Sequence, residues 1–258
     1  MLEINKTHNE NCLETMAKMS DDFIDLTVTS PPYDNLRTYN GYSFDFESIA
    51  KELYRVTKNG GVVVWVVGDA TIKGSETCTS FKQVLFFKEI GFNLHDTMIY
   101  QKSNPIPLTH NRYEQYFEYM FIFSKGKPKT FNPIVIECLT KGIKRNRSKS
   151  KDYEDKYATR SRDEITTTKD FKQKGNIWTF SVGQNDKTKH NAPFPEQLAN
   201  DHIISWSNEG DLVYDPFMGS GTTAKMCIIN NRNYIGSELS EEYCQIIEQR
   251  LAQSKLLL

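Results

Sequence analysis

Apolar positions fall into two alternating patterns along the chain. Residues 23–29 (FIDLTVT) are β-branched and apolar enough to predict a strand, and the run stops at Ser30-Pro31-Pro32-Tyr33. Two prolines fix the backbone and cannot donate to a ladder, so they mark a rigid loop just past a strand end. From 46 to 56, Ile49, Leu53, Tyr54 and Val56 recur near helical spacing, and Lys58-Asn59-Gly60-Gly61 predicts a glycine stop. VVVWVVGD (62–69) is then a continuous apolar run of strand length, as expected of a strand buried on both faces of a parallel sheet.

The same alternation continues. The pattern predicts a helix over 81–90 with Gly91 as its stop, a strand over 94–100 and an aromatic strand over 116–124 (YFEYMFIFS). Residues from about 140 to 175 are polar and basic and lack periodicity, so they read as an insertion or mobile segment, with order resuming at 176–180. A helix follows at 195–206 with Pro195 at its start, then a strand at 212–214, a helix at 224–230, a strand at 234–238 and a closing helix at 241–257. A short helix-like stretch follows Asn11. Strands alternating with helices predict an α/β fold with a doubly wound, mostly parallel sheet.

Composition narrows the function classes. The 258 residues suit one globular domain with a small sub-domain. The longest apolar run, 62–67, is far short of the roughly 20 residues of a membrane span, and no basic-then-apolar leader opens the chain, so a soluble intracellular protein without a membrane partner is expected. Cysteines 12, 78, 138, 227 and 244 are scattered and never form C-x-x-C, which supports neither a disulfide framework nor a metal site. The formal net charge is -1, but residues 141–174 hold twelve Lys/Arg against six Asp/Glu. That segment is therefore +6 and the remainder -7.

Two motifs carry chemistry. DPFMGSGTT (215–223) lies between a short strand and a helix, where Gly219 and Gly221 let a ligand approach backbone N–H groups at a helix start. Glu238 stands 17 residues beyond Gly221 at a strand end, where doubly wound folds put a carboxylate on ribose hydroxyls. No Lys follows Gly221, so this is not a P-loop. TSPPY (29–33) can present the Ser30 hydroxyl and a proline carbonyl as acceptors and Tyr33 as a stacking surface, which suits a planar base with an exocyclic amine.

These motifs together resemble the amino-methylating DNA methyltransferases that use S-adenosylmethionine. TSPPY is similar to their catalytic (D/N/S)-P-P-(Y/F/W) motif and DPFMGSGTT to their cofactor motif. The catalytic motif comes first, the cofactor turn last and a basic segment lies between, which resembles the β arrangement of that family. The resemblance covers nearly the whole chain.

It implies a Rossmann-like methyltransferase domain over 1–137 and 176–258, and a target-recognition insertion over 138–175. Ser30, Pro31, Pro32 and Tyr33 would be catalytic, with Ser30 and the Pro31 carbonyl accepting the amine hydrogens. Asp34 is a candidate proton acceptor, or only a solvated loop carboxylate. Asp215, Phe217, Gly219, Ser220, Gly221 and Thr222 would surround the cofactor, Glu238 would take its ribose, and Asn11 and Cys12 would lie beside the adenine. Residues 190–204 resemble the segment that flanks the methionine carboxylate. Arg37, Tyr39, Lys144, Arg145, Arg147, Arg160 and Arg162 are candidates for contact with double-stranded DNA, whose target base must be turned out of the stack.

Ser at the first catalytic position favours cytosine-N4 over adenine-N6 as the target, and both stay open. A cognate restriction endonuclease and a homodimer are partners the resemblance admits, in a prokaryotic or phage-encoded cytoplasmic protein. Two rivals stand further off. Protein glutamine methyltransferases place the cofactor turn before the catalytic motif, the reverse of this chain. A non-enzymatic DNA-binding module has no use for DPFMGSGTT with Glu238.

Overall fold

The computed structural model describes residues 2–32, 44–105, 111–146, 165–181 and 195–255. In chain order the main elements are β1 (Lys6–His8), α1 (Cys12–Ala17), β2 (Ile24–Thr29), α2 (Phe46–Val56), β3 (Thr57–Val67), α3 (Thr79–Glu89), β4 (Asn93–Lys102) and β5 (Phe117–Ser124). They continue with β6 (Ile177–Phe180), α4 (Glu196–Trp206), β7 (Leu212–Asp215), α5 (Thr222–Ile229), β8 (Asn233–Ser237) and α6 (Glu241–Lys255). Among the described residues these eight strands form one sheet in the order β1-β8-β7-β2-β3-β5-β4-β6. Every neighbouring pair is parallel except the two that β5 makes. Both faces of the sheet are covered. Val63, Trp65 and Val67 pack with residues of α1, α2 and α3, while Val62, Val64 and Val66, which alternate with them, are equally buried. On that second side His202 of α4 meets Met120 of β5. The prediction of a doubly wound, mostly parallel α/β sheet is met.

Two local differences have physical causes. The helix over 46–56 is not ended by the glycine pair: Thr57 ends it, donating its hydroxyl to Leu53 O at 2.6 Å, and Gly60 and Gly61 belong to β3. Gly60 takes φ +86° there, and its N–H donates to Lys125 O at 2.6 Å while its carbonyl accepts from Lys129 N at 3.0 Å. The polar β1 has no apolar period to betray it, and pairs at the sheet edge with β8.

Two compact units divide the chain, one comprising residues 1–132 and 176–258, the other Pro133–Gly175. In the second, Val135–Glu137 pairs antiparallel with Phe171–Gln173, and Lys144–Asn146 with Ile165–Thr167. The first of these pairings carries the unit back to Pro133, ahead of the 138 that the resemblance implied and of the 140 or so at which the composition changes. No helix among the described residues is long and apolar enough to cross a membrane.

Candidate active site at the carboxyl edge of the sheet

The site begins where the sheet changes winding direction. From β2 the chain proceeds to β3 on one side, and from β7 to β8 on the other, while β2 and β7 themselves lie side by side with Leu26 opposite Val213 and Thr27 opposite Tyr214. Such a switch point opens a crevice at the carboxyl ends of the two strands. Thr29 and Asp215 are their last residues. The Thr29 hydroxyl donates to Asp215 Oδ1 at 2.7 Å, Phe217 N donates to the same oxygen at 3.0 Å, and the Thr223 hydroxyl donates to Oδ2 at 2.7 Å. Burial raises the Asp215 carboxyl above the ordinary aspartate range, against the pull of these donors. Both its oxygens face protein donors, so Asp215 locks the turn onto β2. Ser30 and Pro32 follow half-buried and Pro31 buried. Tyr33, Asp34, Arg37 and Tyr39 lie outside the described residues.

The glycine turn is bound to the next strand. Met218 N donates to Ser237 O at 2.9 Å, and Gly219 N donates to Glu238 Oε2 at 2.8 Å. The other Glu238 oxygen accepts from Ser240 N at 2.8 Å. Burial raises the Glu238 carboxyl, again against these backbone donors. Gly219 at φ +53° and Gly221 at φ +83° occupy the left-handed region that favours glycine, and a Cβ on Gly221 would meet Ile247 Cγ1 at 2.9 Å.

Three of the predicted turn residues are engaged inside the protein. The Phe217 ring packs edge-on to Phe44 at 5.7 Å between centroids and to Trp65 at 6.4 Å. Ser220 and Thr222 are buried, and their hydroxyls lie 3.2 Å from Arg250 Nη1 of α6.

The amino-terminal strip closes the other side of Glu238. β1 pairs with β8, Glu238 N donates to His8 O at 3.0 Å, and Asn9 Nδ2 donates to Glu238 O at 2.9 Å. Asn11 Oδ1 caps α1 by accepting from Leu13 N at 2.9 Å. Cys12 is buried, its carbonyl accepts from the Tyr214 hydroxyl at 3.4 Å, and burial pushes its thiol up to about 12. A thiol so protonated has a packing part rather than a nucleophilic one.

The strips bearing Asn11 and Cys12, Ser30 to Pro32, the 215–222 turn and Glu238 are thus bonded to one another along β1, β8, β7 and β2. Sequence reasoning missed Arg250, Asn9 and the bond made by Thr29: Arg250 and Asn9 belong to neither motif, Thr29 opens TSPPY without a role of its own there, and each acts through a contact distant in sequence. Lys144 is exposed in the second unit, Arg145 lies in the same strand, and Arg147, Arg160, Arg162 and residues 190–194 are outside the described residues.

Residues 24–249 match the family described as DNA methylase, comprising the N6 and N4 amino-methyltransferases. The chain belongs to this family. It is an S-adenosylmethionine-dependent DNA amino-methyltransferase, as the two motifs led one to expect. The orphan methyltransferase M.BamHII of Bacillus amyloliquefaciens is 57% identical over 240 residues, covering 90% of each chain. The type II methyltransferase M1.MboII of Moraxella bovis is 27% identical, over 94% of this chain and 95% of that protein. Among solved structures, PvuII DNA methyltransferase (cytosine-N4-specific) shares the fold with a TM-score of 0.69 at 20% identity, over 96% of this chain and 92% of that one. The M1.HpyAVI–SAM complex does so with a TM-score of 0.65 at 24% identity, over 95% and 98%.

The donor set of this methyltransferase fits that cofactor. Each Glu238 oxygen accepts one backbone N–H, which leaves lone pairs for hydroxyl donors on a half-exposed carboxylate. The start of α5 adds amide groups without helical acceptors, suited to a carboxylate.

Proposed function

We propose that this methyltransferase transfers a methyl group to the exocyclic N4 of a cytosine flipped out of double-stranded DNA. The Thr29–Asp215 hydrogen bond carries the proposal, because it fastens the strand end that presents Ser30 and Pro31 to the turn that holds the cofactor. When bound, S-adenosylmethionine supplies an electrophilic methyl group. The amine's lone pair is delocalised into its ring, so the protein must localise it and align it with that group. Ser30 Oγ and the Pro31 carbonyl accept the two amine hydrogens, and Tyr33 stacks on the base, recovering part of the few kcal/mol that flipping costs. The methylated amine then gives up its proton readily, so no dedicated strong base is required.

Glu238 holds the ribose, Gly219 and Gly221 admit the cofactor to the backbone, and Asp215, Ser220 and Thr222 position the turn. The basic second unit, with Lys144, Arg145, Arg147, Arg160 and Arg162, grips phosphates and reads base edges, and Arg37 and Tyr39 are further candidates for contact with DNA. Ser30 rather than an acidic residue at the first catalytic position favours cytosine. The name of the 57%-identical relative supports action without a cognate endonuclease. The test is to incubate the protein with mixed-sequence DNA and S-adenosylmethionine, digest to nucleosides and weigh them. N4-methylcytosine is expected, N6-methyladenine would reassign the base, and neither product would overturn the proposal.

A further inference from the structure

Arg250 stands on the last helix, outside both motifs, yet its guanidinium closes on the cofactor turn. Nη1 donates to Ser220 O at 2.8 Å and lies 3.2 Å from both Ser220 Oγ and Thr222 Oγ1. Nη2 meets Glu196 Oε1 at 2.5 Å, and Lys225 Nζ meets the same oxygen at 2.6 Å. The Arg250 side chain is only 16% exposed. Glu196 opens α4, Thr222 opens α5 and Arg250 lies on α6, so one fork ties three helices to the stretch containing Gly219 and Gly221.

The arrangement opposes simple electrostatics. A helix start carries partial positive charge, so two cations beside α5 disfavour one another and the helix. Glu196 compensates: burial works to raise its carboxyl, but the bonds from Lys225 and Arg250 outweigh that and hold it below the ordinary glutamate range.

We infer that Arg250 is a positioning residue for the cofactor: it holds the Ser220 carbonyl and the Ser220 and Thr222 hydroxyls and so fixes the left-handed backbone of the turn against which the cofactor lies. This rests on the placement of the cofactor at the turn. Only a planar fork reaches the Ser220 carbonyl and Glu196 at once, so lysine is an incomplete substitute.

The test compares wild type, Arg250→Lys, Arg250→Met and the double variant Ser220→Ala/Thr222→Val. S-adenosylmethionine binding is measured by calorimetry, the melting temperature without ligand, and methyl incorporation into mixed-sequence DNA at saturating cofactor. Arg250→Met is expected to weaken cofactor binding by about tenfold or more while the rate at saturation changes by less than about threefold, a split between KM and kcat. Arg250→Lys should recover part of the affinity, and the double variant, which keeps the cation, should weaken binding several-fold. A lowered melting temperature with wild-type affinity in Arg250→Met would overturn the inference, leaving Arg250 a structural residue. Should Arg250→Met fail to fold, unchanged affinity in the double variant overturns it equally. Wild type that bound no S-adenosylmethionine would instead overturn the cofactor placement beneath it.

Discussion

The Thr29 hydroxyl donates to Asp215 Oδ1 across 2.7 Å, joining residues 186 positions apart at the ends of adjacent parallel strands. The bond is buried, and the same carboxylate holds Phe217 N and the Thr223 hydroxyl. One acidic side chain therefore sets the register between the strand end that leads to Ser30 and the turn that begins at Pro216. In the proposed reaction, a displacement of either strip by about an ångström would misalign acceptor and methyl donor, which costs rate steeply.

Thr29→Val keeps the side-chain shape and removes the donor. Because Asp215 stays buried with one partner fewer, unfolding free energy should fall by about 1–3 kcal/mol, with Thr29→Ser retaining most of it. Urea denaturation measures this. Methyl transfer should fall further than cofactor affinity, since Thr223 and Phe217 N still hold Asp215; an equal fall in both would argue against a linking role.

Ser30→Ala removes the acceptor proposed for the amine without touching the glycine turn. Transfer at saturating cofactor should drop by about a hundredfold while the dissociation constant for S-adenosylmethionine stays within about twofold. Tyr33→Ala should behave in the same direction, with a weaker grip on the flipped base. Parallel loss of cofactor affinity in both variants would show that the two strips are not divided in this way.

Acidity should act through Glu238. Burial raises its carboxyl above the ordinary 4.5, so the folded protein binds that proton more tightly than the unfolded chain does. The stability this contributes is complete below 4.5 and is lost as pH rises through the folded value. The stability of wild type relative to Glu238→Gln should accordingly decline as pH rises through that window, measured by urea titration at a series of pH values. Cofactor affinity should show the opposite slope. In the proposed ribose contact, only the ionised carboxylate can accept from both hydroxyls as well as from Gly219 and Ser240 N–H groups, so binding should weaken on acidification from a pH above 4.5, and Glu238→Gln should flatten that dependence.

Much of this was legible in the sequence, for reasons that also explain the rest. Strands β3 and β7 and helix α2 declared themselves because burial on both faces leaves an unbroken apolar run, and burial along one stripe leaves a helical period. The glycines of the turn were readable because positive φ at Gly219 and Gly221 demands them. The reversal of β5 was not, since a buried strand has the same apolar pattern in either direction. Nor was the engagement of Ser220 and Thr222 by Arg250: a hydroxyl in a glycine-rich turn carries no mark of whether a ligand or a distant side chain meets it. Composition found the basic segment but could not set its edge at Pro133, because Val135–Glu137 is recruited by pairing with Phe171–Gln173 rather than by charge.

The split of charge, +6 over 141–174 and -7 elsewhere, gives the last prediction. If the basic unit grips the phosphates, each Lys or Arg it commits releases counterions on binding, and the logarithm of the association constant falls with the logarithm of salt concentration by about 0.9 per contact. Lys144→Ala/Arg145→Ala should flatten that slope by between about 1 and 2 and weaken binding to all DNA sequences alike, if both residues touch phosphate. If either reads a guanine edge instead, the slope changes less and the pattern of methylated sites relaxes at one position, which sequencing of the marked DNA would reveal. Because the remaining surface is acidic, wild-type binding should also fall away sharply above physiological salt, where the attraction from the basic unit is screened within about 8 Å. Fluorescence anisotropy across a salt series measures both slopes; identical slopes for wild type and variant would remove these two residues from the phosphate contacts.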